Sequence, residues 1–253
     1  MTLYVTGRYA DAEAEARGVA AAHSRRRGDA WAPIALGIAA LATNAQGRHA
    51  EALAAYDELL PVFGRTFGAE HVQTLKLRSD RAQALTALGR HAECEAECAA
   101  VSQIAARGTG PEMALTAAGA RNGLAFALNA QGRHQQAETI IREALADHQA
   151  SDRFTVVLRL GLARSLNGQA RHEEALAEAE RVDQLHRALR DELGRSETGA
   201  VELALATALL GLGRAAEARP RAAAAHDACL ALFGPNHRRT VEAQELLDRI
   251  DGI

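Results

Sequence analysis

One seven-residue phrase recurs along the chain and constrains its fold more than any other feature. GRHAEAL runs from Gly47 to Leu53, GRHAECE from Gly89 to Glu95, and GRHQQAE from Gly132 to Glu138. Looser copies begin at Gly7 (GRYADAE), Ala170 (ARHEEAL) and Gly213 (GRAAEAR). The six copies stand 38 to 43 residues apart. Self-similarity at such a period marks a stack of small units, none of which can bury its apolar face alone. It is a stronger guide than the length of 253 residues, which allows one or two domains.

Each unit reads as two helices around a turn. ARNGLAFALNAQ precedes Gly132 and QQAETIIREALADH follows it, both with helical apolar spacing. A glycine between two such runs ends the first helix in a left-handed conformation at little cost. Seven residues before the turns stand Ala40, Ala82, Ala125, Ala163 and Ala206. Five residues after them stand Ala12, Ala52, Cys94, Ala137, Ala175 and Ala218. Small residues at both places let the two helices of a hairpin approach closely, and a larger side chain would force them apart.

This register resembles the tetratricopeptide repeat family along essentially the whole chain. HEAT and armadillo repeats share the period but not the turn glycine followed by alanine, and rank second. The resemblance implies an all-α, right-handed solenoid with about five complete repeats, a partial first repeat and a C-terminal capping helix. It implies a single domain over residues 1–253, with the cap at about 240–250. The surplus over the usual period of that family lies between units. FGAEHVQT (Phe67–Thr74) and FGPNHRRT (Phe233–Thr240) share F-G-x-x-H-x-x-T, and GPEMALT (Gly110–Thr116) is a degraded copy. These stretches resemble the long-period repeats of kinesin light chain and its bacterial relatives. The threonine is expected to cap the following helix, and His71 and His237 to hydrogen-bond locally.

The two ends differ. VEAQELLDRIDGI after Thr240 places Val241, Leu246 and Ile250 inward and charges outward, as a solvating cap should. Only MTLYVT precedes Gly7, less than half of a first helix. The N-terminal edge is therefore expected to be apolar and uncovered. Either a segment upstream is missing, or Leu3, Tyr4 and Val5 support self-association as a homodimer. SRRRGDAWAP (Ser24–Pro33) is the most loop-like stretch, and its Arg27-Gly28-Asp29 tripeptide is read as chance.

Several functions are disfavoured by composition. A net charge of −3 gives no footprint for nucleic acid. RNA-binding helix hairpins would need a basic face and a more regular spacing. No apolar run is long enough for a membrane span, and the start does not read as a signal peptide, so a cytoplasmic protein is expected. Cys94, Cys98 and Cys229 are too few for a disulfide framework, and the first two share a helix face as small apolar groups. No nucleophile elbow, phosphate-binding loop or H-E-x-x-H motif is present, so no catalytic residue, metal or cofactor is assigned. His49, His91, His134 and His172 follow their turns by two residues. Spread once per hairpin along packed helices they are too far apart to share an ion, and they read as packing rings.

The resemblance also implies where a partner would bind, because first helices of this family line a concave face. The inward stripe lies ten, six and three residues before each turn. It reads Gly37/Leu41/Asn44, Ser79/Gln83/Thr86, Asn122/Phe126/Asn129, Leu160/Arg164/Asn167 and Leu203/Thr207/Leu210. Asparagine amides suit an extended peptide backbone, and on this reading Asn44, Asn122, Asn129 and Asn167 face solvent until a peptide arrives. Gln83 lies on the same stripe, and Phe126 is an apolar anchor. Arg78, Arg121 and Arg159 stand eleven before their turns, with Arg164 near them. Guanidinium groups in series favour an acidic side chain or a C-terminal carboxylate. The expected function is thus a non-catalytic protein- or peptide-binding scaffold, either a free-standing adaptor or the sensor arm of a regulator. The alternative is an enzyme or biosynthetic accessory protein that holds a small acidic ligand in the superhelix cavity.

Overall fold

The computed structural model describes residues 2–24, 29–148, 150–189 and 197–252. Thirteen α-helices and no strand are present among them. The chain divides into two compact units, Met1–Ala127 and Leu128–Ile253. The first contains α1 (Thr2–Val5), α2 (Tyr9–His23), α3 (Trp31–Ala45), α4 (His49–Thr66), α5 (Val72–Ala87), α6 (His91–Arg107) and most of α7 (Pro111–Ala130). The second contains the end of α7, then α8 (His134–Asp147), α9 (Arg153–Gly168), α10 (His172–Ala188), α11 (Ala200–Gly211), α12 (Ala215–Phe233) and α13 (Arg238–Asp251).

All six sequence turns separate two helices. Gly7, Gly47, Gly89, Gly132 and Gly213 adopt positive φ, as the turn requires. The next amide closes each first helix by a long bond back to it, as from Arg90 N to Leu85 O and from Arg214 N to Leu209 O, both 2.9 Å. Ala170 replaces the glycine and still sits at φ 58°, the only non-glycine residue with positive φ among the described residues. The small-residue register also holds. Ala40, Ala82, Ala125, Ala163 and Ala206 are buried, as are the small residues five after each turn. Around them Tyr56, Leu77, Leu85 and Phe63 fill the core of the first unit, and Val156, Val182, Leu203, Leu209 and Leu246 that of the second.

The connecting motif works differently from its expected form. His71 and His237, not the threonines, are the N-caps, with extended backbones and ring nitrogens accepting from Gln73 N and Arg239 N at 3.2 and 3.3 Å. Thr74 and Thr240 lie inside the first turn and donate their hydroxyls back to Gly68 O and Gly234 O, at 2.7 and 2.9 Å. Phe67 and Phe233 stack on the capping rings. The local bonding expected of both histidines is present. In the degraded copy α7 begins at Pro111, and Thr116 bonds back within the helix to Glu112 O. Between α8 and α9, where the motif is absent, Asp152 caps instead, accepting from Phe154 N and Thr155 N. The stretch read as a loop from Ser24 to Pro33 already enters α3 at Trp31. Arg27 and Gly28 of the tripeptide lie outside the described residues.

Candidate functional site

The structure gives three of the four candidate asparagines a structural task. Three of the four turn histidines meet an asparagine five residues earlier. Nδ1 lies 2.7 Å from Oδ1 for His49 and Asn44, 3.0 Å for His134 and Asn129, and 3.1 Å for His172 and Asn167. The amide oxygen accepts, so the histidine carries its proton on Nδ1. Asn129 is buried and also donates to Ser165 Oγ at 2.9 Å. The expectation that these amides face solvent is corrected at Asn129, and at Asn44 and Asn167 the oxygen is engaged and the residue half-buried. The physical reason is local, since an asparagine three before the turn and a histidine two after it flank the same bend.

The histidines do pack as rings. A methyl group added to Gly168 would fall 2.3 Å from Nδ1 of His134, and one added to Gly211 would fall 2.2 Å from Nδ1 of His172. Each ring therefore occupies the space over a glycine of the next first helix. His91 is the exception to the pairing, because Thr86 stands where the others have asparagine. Its Nδ1 is buried and has no hydrogen-bond partner, while the Thr86 hydroxyl donates to Cys94 Sγ at 3.1 Å.

The arginine ladder is likewise built into hairpins. Arg78 Nε reaches Glu97 at 2.5 Å and Arg159 reaches Glu178 at 2.8 Å. Both pairs join a first helix to its own second helix across nineteen residues. In the last hairpin the signs are exchanged, and Glu202 takes Arg221 at 3.0 Å. A pair that survives exchange of its charges serves the hairpin, because a ligand-selecting site would need one sign. A second ion network joins successive hairpins. Glu138 meets Arg142, Gln169 and Arg171, and Glu13 meets Arg17, Gln46 and Arg48 in the same arrangement. Burial pushes both carboxyls upward, but these partners outweigh it and hold them below the ordinary range.

The rest of the stripe is placed as follows. Gln83 on α5 is exposed, and Arg121, Asn122 and Phe126 on α7 are half-buried. In the second unit α11 packs against both α9 and α13. Arg164 on α9 nevertheless reaches Glu242 on α13, with Nη2 to Oε1 at 2.8 Å. The bridge thus passes over α11, whose stripe residue Thr207 turns its hydroxyl back to Leu203 O at 2.7 Å. Arg164 is thereby the one stripe residue that the bridge ties to α13. Arg238 flanks the same carboxylate at 3.8 Å, and Arg164 keeps 41% of its side chain exposed. Sequence reasoning missed Glu242 and Arg238. The signal was available, because aligning Thr240 with Thr74 puts Glu242 opposite Lys76.

Cys94 and Cys98 are buried with their sulfurs 3.9 Å apart, as the shared helix face implied. Among the described residues no group of three or more His, Cys, Asp or Glu could hold a metal ion. No described helix is long and apolar enough to cross a membrane.

Comparison with known proteins adds to this geometry. A family model described as tetratricopeptide repeat matches residues 31–96, and another of the same description matches residues 117–151. Among solved structures, PlcR of Bacillus thuringiensis in complex with the peptide PapR7 and DNA is similar with a TM-score of 0.66 and 15% identity, over 84% of this chain and 73% of that one. A putative kinesin light chain of Podosopora anserina with nearly identical TPR-like repeats is similar with a TM-score of 0.55 and 21% identity, over 79% of this chain and 97% of that one. At these identities the likeness is one of fold. No curated protein matches the sequence. The two matched segments, the turn register and the hairpins make this chain a member of the tetratricopeptide repeat family, whose fold serves in general as a non-catalytic protein-binding scaffold.

Proposed function

We propose that the chain is a cytoplasmic, non-catalytic scaffold that binds an extended segment of a protein partner. In the second unit Arg164 takes an acidic side chain or a C-terminal carboxylate from that segment. The observation that carries this reading is the Arg164–Glu242 bridge. It ties α9 to α13, and its exposed guanidinium already holds a carboxylate that another carboxylate can replace. In the first unit Gln83, Asn122 and Phe126, with Arg121 beside them, occupy the matching stripe and form the corresponding candidate surface. The similar PlcR structure, which holds a peptide, is consistent with peptide binding on this fold. Asn44, Asn129, Asn167, Arg78 and Arg159 are left to support the hairpins.

A library of peptides with free acidic C-termini provides the test. For the best binder, Arg164→Ala is expected to weaken affinity at least tenfold and to flatten its salt dependence. Glu242→Gln is expected to tighten it severalfold, because the internal competitor is gone. Unchanged binding in both variants, with melting intact, would move the site elsewhere. Competition by a free dicarboxylate at similar affinity would turn the reading towards a small acidic ligand.

A further inference from the structure

The hairpin α5–α6 departs from the repeat at three places that meet in space. Five of the six turns have alanine at the fifth residue beyond them, and Cys94 stands there in the sixth. Asparagine stands five residues before His49, His134 and His172, and Thr86 stands before His91. The third change is Cys98, one turn beyond Cys94 on the same face of α6. Its Sγ lies 3.9 Å from that of Cys94, and the Thr86 hydroxyl donates to Cys94 Sγ at 3.1 Å. Gly123 of α7 leaves room for the second sulfur, since an added methyl would lie 2.8 Å from Cys98 Sγ. Packing alone does not need a thiol at the Cys94 place, because alanine fills it in every other turn. The exchange of asparagine for threonine also leaves His91 Nδ1 buried without a hydrogen-bond partner. Departures of this kind from an otherwise regular repeat mark functional or strained sites.

We infer that Cys94 and Cys98 form a two-coordinate site for copper(I) inside the first unit. A sulfur–metal bond of about 2.3 Å places two thiolates on one ion no more than about 4.6 Å apart, and the observed 3.9 Å lies inside that reach. A disulfide fits this geometry less well. It needs Cβ atoms about 3.5–4.5 Å apart, whereas helix residues four apart hold them at about 5–6 Å. An ion therefore bridges the pair with α6 intact, and a disulfide must distort the turn. The number of donors selects the metal. Among the described residues no group of three or more His, Cys, Asp or Glu could hold an ion, and structural zinc takes four ligands. Copper(I) is a soft ion that thiolates select, and two of them suffice to hold it. Binding releases both thiol protons to solvent and leaves a dithiolate complex with a single negative charge. The Thr86 hydroxyl offsets part of that charge at Cys94. Both cysteines are enclosed, at 1% and 3% exposure, so the ion enters during folding or through a local opening of α6. The site involves none of the residues of the peptide surface and stands or falls independently of it.

The test uses the full chain, reduced and kept free of oxygen. It is refolded from denaturant with copper(I) stabilised by acetonitrile, then freed of loose ion with the copper(I) chelator bicinchoninate. One copper per chain should remain, with a thiolate-to-copper charge-transfer band in the near ultraviolet. Cys94→Ser and Cys98→Ser should each lower the affinity at least tenfold, while Cys229→Ala should leave it unchanged. Cys94→Ala restores the residue of the other turns, so it should also lose the copper and still melt cooperatively if a serine variant fails to fold. Zinc offered in the same way should not be retained. Copper surrendered to the chelator by the parent chain, or held equally by the Cys94 and Cys98 variants, would overturn the proposal. So would a Cys94–Cys98 disulfide formed by glutathione disulfide at unchanged helix content in a chain that retains no copper, which would assign the pair to redox chemistry.

Discussion

The hairpins α5–α6 and α9–α10 share their turn phrase, their small-residue register and an Arg–Glu pair across nineteen residues, yet they treat their polar groups differently. In α9–α10 the His172 ring bonds to Asn167, and Ser165 on α9 accepts from Asn129 and bonds back to Gly161 O. In the α5–α6 hairpin Thr86 replaces the asparagine, and His91 Nδ1 is left buried without a partner. The hydroxyl of Tyr56, on the neighbouring α4, is also buried and unpaired. Asp80 adds a carboxyl that burial pushes up to about 7. The shared phrase therefore specifies backbone and packing, while one residue outside it decides whether the histidine is satisfied. A buried polar atom without a partner costs the desolvation that a hydrogen bond would have offset.

Asn129→Ala should give the largest effect among the changes that alter hydrogen bonds and packing. It leaves His134 Nδ1 and Ser165 without their partner, and a loss of about 2–3 kcal/mol is expected from two disrupted buried bonds. Thr86→Ala, at the equivalent position before His91, should lose well under 1 kcal/mol, since only a weak contact to a thiol disappears. Chemical denaturation of the two variants measures the difference. Equal losses would break the comparison and show that the asparagine is not the pin.

Gly211→Ala comes next. A glycine-to-alanine change inside a helix ordinarily gains about 1 kcal/mol. At Gly64 of α4, where an added methyl meets nothing within 4 Å, that gain is expected. At Gly211 the methyl would lie 2.2–2.5 Å from three atoms of the His172 ring. The ring must then leave Asn167, and a net loss of about 1–2 kcal/mol is expected from overpacking. Opposite signs in thermal melts of the two variants would support the packed-ring geometry. A gain at both positions would show that His172 can swing away freely.

A sharper test repairs the weaker hairpin. Thr86→Asn restores the residue found before His49, His134 and His172, and gives His91 an acceptor. Combined with Cys94→Ala, which supplies the alanine found at that place in the other turns, it should gain about 0.5–1.5 kcal/mol. No gain would mean that His91 finds its partner in solvent.

The limits of sequence reading follow from the range of each interaction. Turn glycines and paired alanines were legible because they record backbone conformation and close approach inside one hairpin. Ala170 kept its left-handed place without glycine, so the phrase around it carried the signal. The Asn–His pair was also within reach, as three asparagines stand five residues before three histidines. Along one helix stripe the asparagines stand apart from the histidines, because the turn separates the two, and the stripe pattern alone does not show the pair. The exchanged signs of Arg159–Glu178 and Glu202–Arg221 were similarly visible at a fixed spacing. In the connecting motif the sequence shows both histidine and threonine, but only geometry distinguishes the N-cap at His71 from the back-bonding Thr74. The Arg164–Glu242 bridge spans 78 residues, and only the alignment of Thr240 with Thr74, which puts Glu242 opposite Lys76, hints at it in the sequence.

The effect expected at Asp80 is separated from the others by its pH dependence, since it vanishes at low pH. Asp80 stands nine residues before the turn on α5, where the other complete hairpins have Ile38, Gly123, Gly161 and Ala204. It is the one charged residue at that place. Burial raises its carboxyl from an ordinary value near 3.8 to about 7, and the nearby Lys76 ammonium only partly opposes the shift. Between those two values the folded chain retains a proton that the unfolded chain has released. Stability therefore falls as the pH climbs from about 4 to about 7, and the cost is fully present above that range. Asp80→Asn keeps the shape and removes the charge. Its thermal midpoint should match the parent near pH 4 and exceed it increasingly up to pH 7.5, after which the gap should stay constant. A gap at Asp80 that is flat with pH would mean that water solvates this carboxylate, and the hairpins would then differ in their hydrogen bonds but not in buried charge.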